Sequence, residues 1–306
     1  MSTAPAFAPF RCAALVGKHH ESISGSALHA SRAALLDVHA FLQELGLHVL
    51  VEAECARALW LEAVGCDVAR VDELGRRADV GVAVGGDGTM LGLARQMAPH
   101  ATPLIGINQG RLGFVTDISL DHYRQALPPM LLQGQYERDE RPLMHGRVVR
   151  GGQCVFETLA MNDVVVHRGA AASMVELEVE ADGRFIARHR ADGMIVATPT
   201  GSTAYSLAAG GPILHPQLPG WALVPIAPQA LSNRPIVLAD PSEILIRIIG
   251  GPPASASFDT LTFADLKRDD AIIVRRSPHH ARFLHPLGWS YFDTLRRKLH
   301  WNLGTV

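Results

Sequence analysis

Along the first third of the chain, short apolar runs alternate with longer stretches in which apolar residues recur at helical spacing. Cys12–Val16 is an apolar run of strand length, and Gly17-Lys18-His19-His20 after it reads as a polar turn. Between Ser26 and Leu45, the positions Leu28, Leu35, Leu36, Val38, Phe41, Leu42 and Leu45 fall at spacings of three, four and seven, which predicts an amphipathic helix. Gly46 stands where such a helix is expected to end. The alternation continues with a strand at His48–Val51, helices over 53–64 and Val71–Arg77, and strands at Val80–Val84 and Pro103–Ile107. Strands separated by helices in this way predict βαβ units and a mostly parallel sheet, in which ligands bind beyond the carboxyl ends of the strands. The loops Gly85–Thr89 and Asn108–Gly113 both follow such ends, so they are expected to line one crevice. Residues 1–9, rich in Ala and Pro, read as a loose start.

Around Gly134 the rhythm changes, and long helices no longer separate the strands. Val175-Glu176-Leu177-Glu178-Val179-Glu180 alternates apolar and acidic residues, and Ala181-Asp182-Gly183 turns it into Arg184–Arg190, which predicts an antiparallel hairpin. Ile244, Ile246 and Ile248 share one face of another strand, and Ala271–Val274 makes a further one. With turn signals at Pro212, Pro216, Pro219-Gly220 and Gly250–Pro253, this half reads as an all-β sandwich. Helical spacing returns over Trp289–Trp301 (Tyr291, Phe292, Leu295, Leu299). The organisation expected is an α/β domain over residues 1–140 and a β-sandwich over 141–286, with a terminal helix within 287–306 packing back on the first.

The candidate chemistry begins where the Val80–Val84 run stops, at Gly85-Gly86-Asp87-Gly88-Thr89, with an apolar helical pattern following. Three glycines let the backbone turn tightly and let a large anion approach exposed N–H groups. Asp87 sits inside that turn with no lysine beside it, so a loop holding phosphates with its backbone and using Asp87 for chemistry stands against a plain strand-to-helix turn. Asn162-Asp163, at the head of the run Val164–Val166, has the groups to read a base edge and a hydroxyl, or is a strand-initiating turn. Arg190-Ala191-Asp192-Gly193 reads as a polar hairpin end, or as an Arg–Asp surface pair of little energetic weight. The stretch 198–206 is richer: five Ser/Thr hydroxyls surround Tyr205, a ring able to stack on a purine, and Leu207-Ala208-Ala209-Gly210-Gly211-Pro212 follows. A serine or threonine at a helix start there would also cap it.

Composition narrows the class. The chain has 306 residues, 48% of them hydrophobic and 19% charged, enough for two domains with sizeable cores. A formal net charge of −2 gives no sign of nucleic-acid or membrane-surface binding. Cys12, Cys55, Cys66 and Cys154 form no CxxC pair, which argues against a zinc ribbon, a redox dithiol or a disulfide scaffold and fits a reducing cytoplasm. The chain start has no signal-peptide pattern, and no apolar run is long enough to span a membrane. There is no GxxxxGK[ST], complete GxGxxG, HExxH or GxSxG motif, and the 15 histidines are scattered or paired at turns.

GGDGT, Met161-Asn162-Asp163, the loop Ile107–Phe114, the stretch 192–213 (DGMIVATPTGSTAYSLAAGGPI) and Leu231-Ser232-Asn233-Arg234-Pro235 together resemble the NAD kinase family of bacteria, in order and spacing, over most of the chain. GGDGT alone is shared with diacylglycerol, sphingosine and phosphofructokinases; the 192–213 stretch is far more specific. The resemblance implies a Rossmann-like N-terminal domain, a C-terminal β-sandwich and an active site in the cleft between them. It implies transfer of the γ-phosphoryl of ATP to the 2′-hydroxyl of the adenosine ribose of NAD, giving NADP, with Mg²⁺ or another divalent cation. Asp87 is implied as proton acceptor, within the phosphate loop Gly85, Gly86, Gly88 and Thr89. Asn162 and Asp163 would hold adenine and ribose hydroxyls, and Asp192, with Arg190 nearby, the nicotinamide end. Thr200, Thr203, Ala204, Tyr205 and Ser206 would form the adenine pocket, and Leu207, Ala208 and Ala227 belong to the implied nucleotide-binding set. No residue is assigned to a metal, and a homodimer or homotetramer is implied.

The chain departs from the family where His often stands, at Ser173 and Gln229, and where Asp-Gly-Gln is usual, at Asp259-Thr260-Leu261. Contacts from that side stay open. Two rivals stand beside this reading. One is a lipid or sugar kinase sharing only GGDGT, although the hydroxyl-rich 198–206 stretch does not suit an acyl chain. The other is a non-catalytic dinucleotide sensor, which has no need of a carboxylate beside bound phosphates.

Overall fold

The computed structural model describes residues 8–18, 25–61, 65–110, 113–169 and 173–300. Most of the loose start, His19 and His20 of the polar turn, Arg111 and Leu112 of the second loop, and Trp301 lie outside these residues. The chain divides into two compact units, one of residues 1–140 with 281–306 and one of residues 141–280.

The first unit runs β1 (Cys12–Gly17), α1 (Gly25–Glu44), β2 (His48–Glu52), α2 (Ala53–Ala58), β3 (Asp67–Ala69), α3 (Val71–Arg77), β4 (Val80–Gly85), α4 (Asp87–Met97), β5 (Leu104–Asn108), β6 (Ile118–Ser119) and α5 (Tyr123–Gln133). Its strands pair in parallel in the order β3-β2-β1-β4-β5. β1 and β4 are apolar at nearly every position because both faces of the sheet are covered, as parallel sheets require. Leu35, Val38 and Leu42 of α1 and Leu127 and Met130 of α5 join Leu15, Val82 and Ile107 in one core.

Two helices differ from the sequence reading. The helix expected over 53–64 stops at Ala58, because Trp60 turns left-handed at φ 52° and the N–H groups of Leu59, Trp60 and Leu61 fold back onto the carbonyls of Cys55, Arg57 and Ala56. Helix α5 carries Pro128 and Pro129 in its interior, which remove two backbone donors and hide it from a search for helical pattern. No helix among the described residues is long and apolar enough to cross a membrane.

The second unit is antiparallel. Its strands are β7 (Tyr136–Arg150), β8 (Gln153–Ala160), β9 (Asp163–His167), β10 (Val175–Ala181), β11 (Arg184–Ala191) and β12 (Gly193–Ala197), then helix α6 (Tyr205–Ala208). β13 (Gly220–Ile226), β14 (Ile236–Ala239), β15 (Ile244–Gly250), β16 (Ala254–Phe258), β17 (Leu261–Leu266) and β18 (Ala271–Pro286) follow, and helix α7 (Tyr291–Leu299), which belongs to the first unit, ends the chain order. The division between units falls inside β7 and β18, and the end of β18 meets β5 in parallel at Phe283–Leu104, within the first unit. One sheet has the order β14-β13-β12-β9-β16-β17, and β11-β10-β15 continues into the start of β18. Val164, Val166, Met194 and Trp221 from the first sheet share a core with Leu177, Val179 and Ile246 from the second, which makes a sandwich. The hairpin between β10 and β11 turns at Asp182 and Gly183, both left-handed at φ 51° and 69°.

Asp270 is buried in this unit, with its carboxylate held by Arg150 Nε at 2.9 Å, Arg150 Nη2 at 2.6 Å and the Lys267 N–H at 2.7 Å. Burial pushes this carboxyl up, but the hydrogen bonds outweigh it and hold the group below its ordinary value. A depressed folded pKa gives stability that is full above the ordinary carboxylate range and lost as the pH falls through the folded value. Arg150→Ala should lower the urea midpoint near neutral pH, since it leaves the buried Asp270 carboxylate without its cation. The loss should shrink in acid, where Asp270 is protonated in both proteins; an undiminished loss there would show that the charge is not what Arg150 answers.

Candidate active site

In the first unit the strand order reverses between β1 and β4, and it is outside the carboxyl ends at such a switch point that open α/β sheets bind ligands. A cavity of about 370 Å³ lies there, lined among others by Lys18 after β1, Gly85 and Gly86 at the end of β4, and Asn108 and Gln109 at the end of β5. The two glycine loops flagged in the sequence thus share one cavity wall, since β4 and β5 pair with Gly85 opposite Asn108. The sequence has no lysine beside the turn, but the fold supplies one: the Lys18 N–H donates to Val84 O at 3.0 Å, and Lys18 is among the residues that line the cavity.

Gly86 caps α4 in an extended conformation, φ −107° and ψ −172°, and the helix begins at Asp87, so the first N–H groups of α4 have no partner within the helix. The glycines of the turn are glycine for different reasons. A Cβ on Gly85 would stand 2.5 Å from Thr89 Oγ1, whereas a Cβ on Gly86 or Gly88 would meet nothing within 4 Å. Neither packing nor a left-handed φ demands glycine at 86 or 88; what these two leave is open space above the helix start.

Asp87 is half-buried and accepts three hydrogen bonds from consecutive residues: Phe114 N at 2.7 Å, Val115 N at 3.3 Å and Thr116 Oγ1 at 2.9 Å. Gly113 is forced, because a Cβ there would lie 1.7 Å from Asp87 Oδ1. The buried Asn108 donates from Nδ2 to Thr116 Oγ1 at 2.8 Å and accepts from Gly110 N at 2.7 Å, so the Thr116 hydroxyl is left to donate to Asp87. A carboxylate has about four lone-pair positions, so one remains for a further donor. Thr116 went unnoticed in the sequence; its signal was the polar pair Thr116-Asp117 set between the apolar residues Phe114-Val115 and Ile118.

In the second unit Asn162 and Asp163 stand at the head of β9 as expected, and a residue not foreseen holds them there. Asp259, left-handed at φ 52°, accepts from the N–H groups of Met161 at 2.9 Å, Asn162 at 2.7 Å and Asp163 at 3.2 Å, and donates its own N–H to Asp163 O at 3.0 Å. Burial, and then the nearby charge of Asp259, push the Asp163 carboxyl up to about 7.

The 198–206 stretch differs from a surface of free hydroxyls. Thr198 Oγ1 donates to Met161 O at 2.6 Å, Ser202 Oγ to Pro199 O at 2.6 Å and Thr203 Oγ1 to Thr200 O at 3.0 Å, so these groups fold the loop. Thr200 Oγ1 accepts from Arg141 Nη1 at 3.3 Å. Helix α6 is capped by Ala204 with no side-chain bond, not by a serine or threonine. Gly201 is forced by Asn162, whose carbonyl oxygen would lie 2.0 Å from a Cβ, and this ties the loop to the 161–163 turn. Tyr205 and Ala208 are exposed, Thr203, Ala204 and Leu207 half-buried, and Ser206 Oγ is fully buried with no hydrogen-bond partner.

Asp192 pairs with Arg168, at 2.6 Å to Nε and 3.4 Å to Nη2, and not with Arg190, which faces Glu176 at 3.9 Å. Arg168 was not foreseen either. Ala227, exposed and left-handed at φ 43°, follows β13, and the N–H of Gln229 donates to Arg190 O at 2.9 Å. No group of three or more His, Cys, Asp or Glu among the described residues could hold a metal ion unaided.

Residues 36–136 match the model of the ATP-NAD kinase N-terminal domain, and residues 161–286 that of the ATP-NAD kinase C-terminal domain. The NAD kinase of Variovorax paradoxus is 55% identical over 298 residues, covering 96% of this chain and 98% of its own. That of Burkholderia pseudomallei is 55% identical over 268 residues, covering 88% of each. Among solved structures, yeast NADH kinase complexed with NADH superposes with a TM-score of 0.85 at 24% identity, covering 98% of this chain and 90% of that one. An NAD kinase from Archaeoglobus fulgidus in complex with ATP gives 0.68 at 24% identity, covering 95% and 97%. These two show a shared fold, and the full-length identity to the bacterial enzymes shows more: the chain belongs to the NAD kinase family.

Proposed function

We propose that the protein transfers the γ-phosphoryl group of ATP to the 2′-hydroxyl of the adenosine ribose of NAD, giving NADP and ADP. The 2′-oxygen bonds to the γ-phosphorus, the bond from that phosphorus to the bridging oxygen breaks, and the hydroxyl proton passes to Asp87 and on to solvent. The observation that carries this is Asp87 itself. It is a carboxylate aimed by three donors, with one acceptor position open, at the start of a helix where two glycines keep space that the fold does not need.

Phosphoryl transfer asks for positioning and charge neutralisation more than for covalent help. The N–H groups at the start of α4 and Lys18 suit the phosphates of the donor. A divalent cation such as Mg²⁺ would supply charge neutralisation for the triphosphate; Asp87, three of its acceptor positions filled, is the one carboxylate of the turn and would offer it no preformed cage. Asn162 and Asp163 hold the adenosine half of NAD through base edge and ribose hydroxyls, and Tyr205, 47% exposed, offers its ring to adenine, with Thr200, Thr203, Ala204, Ser206, Leu207, Ala208 and Ala227 around it. Asp192 and Arg190 serve the nicotinamide end. Four cysteines, all free, support a cytoplasmic setting. The edge strand β11, with Phe185 61% exposed, and Leu231, 91% exposed, support assembly into a homodimer or homotetramer.

NADP formation from NAD, ATP and Mg²⁺ is the test. No product, with NAD still bound, would favour a dinucleotide sensor, and product only with a lipid or sugar acceptor would favour the other kinase class. Asp87→Asn should lower kcat by about 10²–10⁴-fold with NAD binding little changed, and near-normal turnover would remove Asp87 from its role. Gly88→Ala should leave thermal stability equal or slightly higher, since Ala suits a helix better, while turnover falls sharply. A stable Gly88→Ala enzyme with full activity would mean that nothing occupies the space. Lys18→Ala should raise KM for ATP and leave KM for NAD unchanged; a reversed pattern would place Lys18 at the acceptor.

A further inference from the structure

Beyond the residues so far given roles, the first unit holds a histidine shut between two acids. His285, near the end of β18, is 1% exposed, with Nδ1 3.0 Å from Asp117 and Nε2 3.4 Å from Asp139 of β7. The indole of Trp289 stacks on its ring at 4.0 Å and 6°. A neutral imidazole has one donor and one acceptor nitrogen, so it would turn a lone pair towards one of the carboxylates; only the imidazolium satisfies both. The flat indole face is also a favourable neighbour for a cation. The charged groups facing the ring are Asp117 from the 113–117 segment and Asp139 from β7; Arg282 of β18 pairs with Glu140 and not with the ring.

Asp117 directly follows Phe114, Val115 and Thr116, the three residues whose N–H and hydroxyl groups hold Asp87. Its other oxygen, Oδ1, is buried with no hydrogen-bond partner, so the carboxylate relies on His285. We propose that His285, bridging Asp117 and Asp139 as an imidazolium, is a positioning residue that fixes the 113–117 segment and through it aims Asp87. Burial opposes the charge on His285, but the hydrogen bonds and charges of the two aspartates outweigh it and hold the imidazole above its ordinary range. The sign follows: a raised folded pKa gives an anchor that is complete below the ordinary histidine range and lost as the pH rises through the folded value.

This inference rests on the kinase reading for its activity readout and on the imidazole's own titration for an independent one. The wild-type kcat for NADP formation should fall on the alkaline side as His285 loses its proton, with KM for ATP and NAD little changed. The C–H resonances of His285, assigned with His285→Gln, should titrate above the ordinary histidine range. His285→Gln, which offers a donor to only one of the two acids, should lower kcat by about ten- to a hundredfold and flatten the alkaline fall. Asp139→Asn keeps the Asp117 contact and should move the fall to lower pH without removing it, so a His285 variant that fails to fold still leaves the idea open to refutation. A His285→Gln enzyme with wild-type kcat and pH profile, or a His285 that titrates at or below the ordinary value, would overturn it. If the wild type makes no NADP, the kinase reading fails while the titration still decides the charge state.

Discussion

The three hydrogen bonds that Phe114, Val115 and Thr116 give to Asp87 tie the turn after β4 to the loop after β5. They form only because β4 and β5 are parallel neighbours that end side by side, so the turn after one meets the loop after the other. They also dictate small residues along the way. Gly113 leaves room for the carboxylate, and Gly106 within β5 lets Thr116 approach, since a Cβ there would lie 2.8 Å from Thr116 Cα. Asn108 then fills the role of a buried spacer, taking one lone pair of the Thr116 hydroxyl so that its proton goes to Asp87. A chemical demand at one carboxylate thus explains the glycines and polar residues of a stretch more than ten residues away in sequence.

The second unit uses the same chemistry, an aspartate accepting from three consecutive residues, to fix a turn. Here an acid organises backbone donors: Asp259 gathers three successive N–H groups and fixes the turn from which Asn162 and Asp163 project. Its left-handed backbone, φ 52°, is one that Asp tolerates better than most residues. The hydroxyls of Thr198, Ser202 and Thr203 bond back to backbone carbonyls, which makes the loop rigid at the cost of most of its free donors. Recognition by this loop therefore depends on its shape and on the exposed face of Tyr205 more than on a row of hydroxyls.

The architecture was legible wherever periodicity was strong. The 3.6-residue pattern of α1, the apolar run of β4 and the alternation of β10 each reflect which faces are covered, and both fold classes followed from them. What stayed hidden was set by geometry that no local pattern carries. The two prolines of α5 look like a break, and α2 ends early because of backbone closure at Trp60. Lys18, Thr116, Arg168 and Asp259 gain their roles only when strands distant in sequence are laid side by side. The glycine turn showed the opposite limit: its sequence announced it, but Gly85, Gly86 and Gly88 were indistinguishable until each absent side chain could be placed against its surroundings.

Asp163 shows why such a site is costly to the fold and useful to a ligand. Burial and the neighbouring Asp259 push its carboxyl up to about 7, so the stability the fold gives up at this group grows as the pH rises from the ordinary carboxylate range towards that value and levels off above it. A protein gains nothing in stability from this arrangement; apolar residues would fill the same space better. In the reading proposed above, the gain comes with the acceptor. A ribose hydroxyl donating to Asp163 replaces hydration that burial removed and favours the ionised form. Binding then lowers the pKa again, releases the proton and returns part of the penalty as affinity for a ligand with a donor at that position. A ligand without that hydroxyl recovers none of it, so the discrimination lies in a carboxylate that the fold leaves incompletely satisfied.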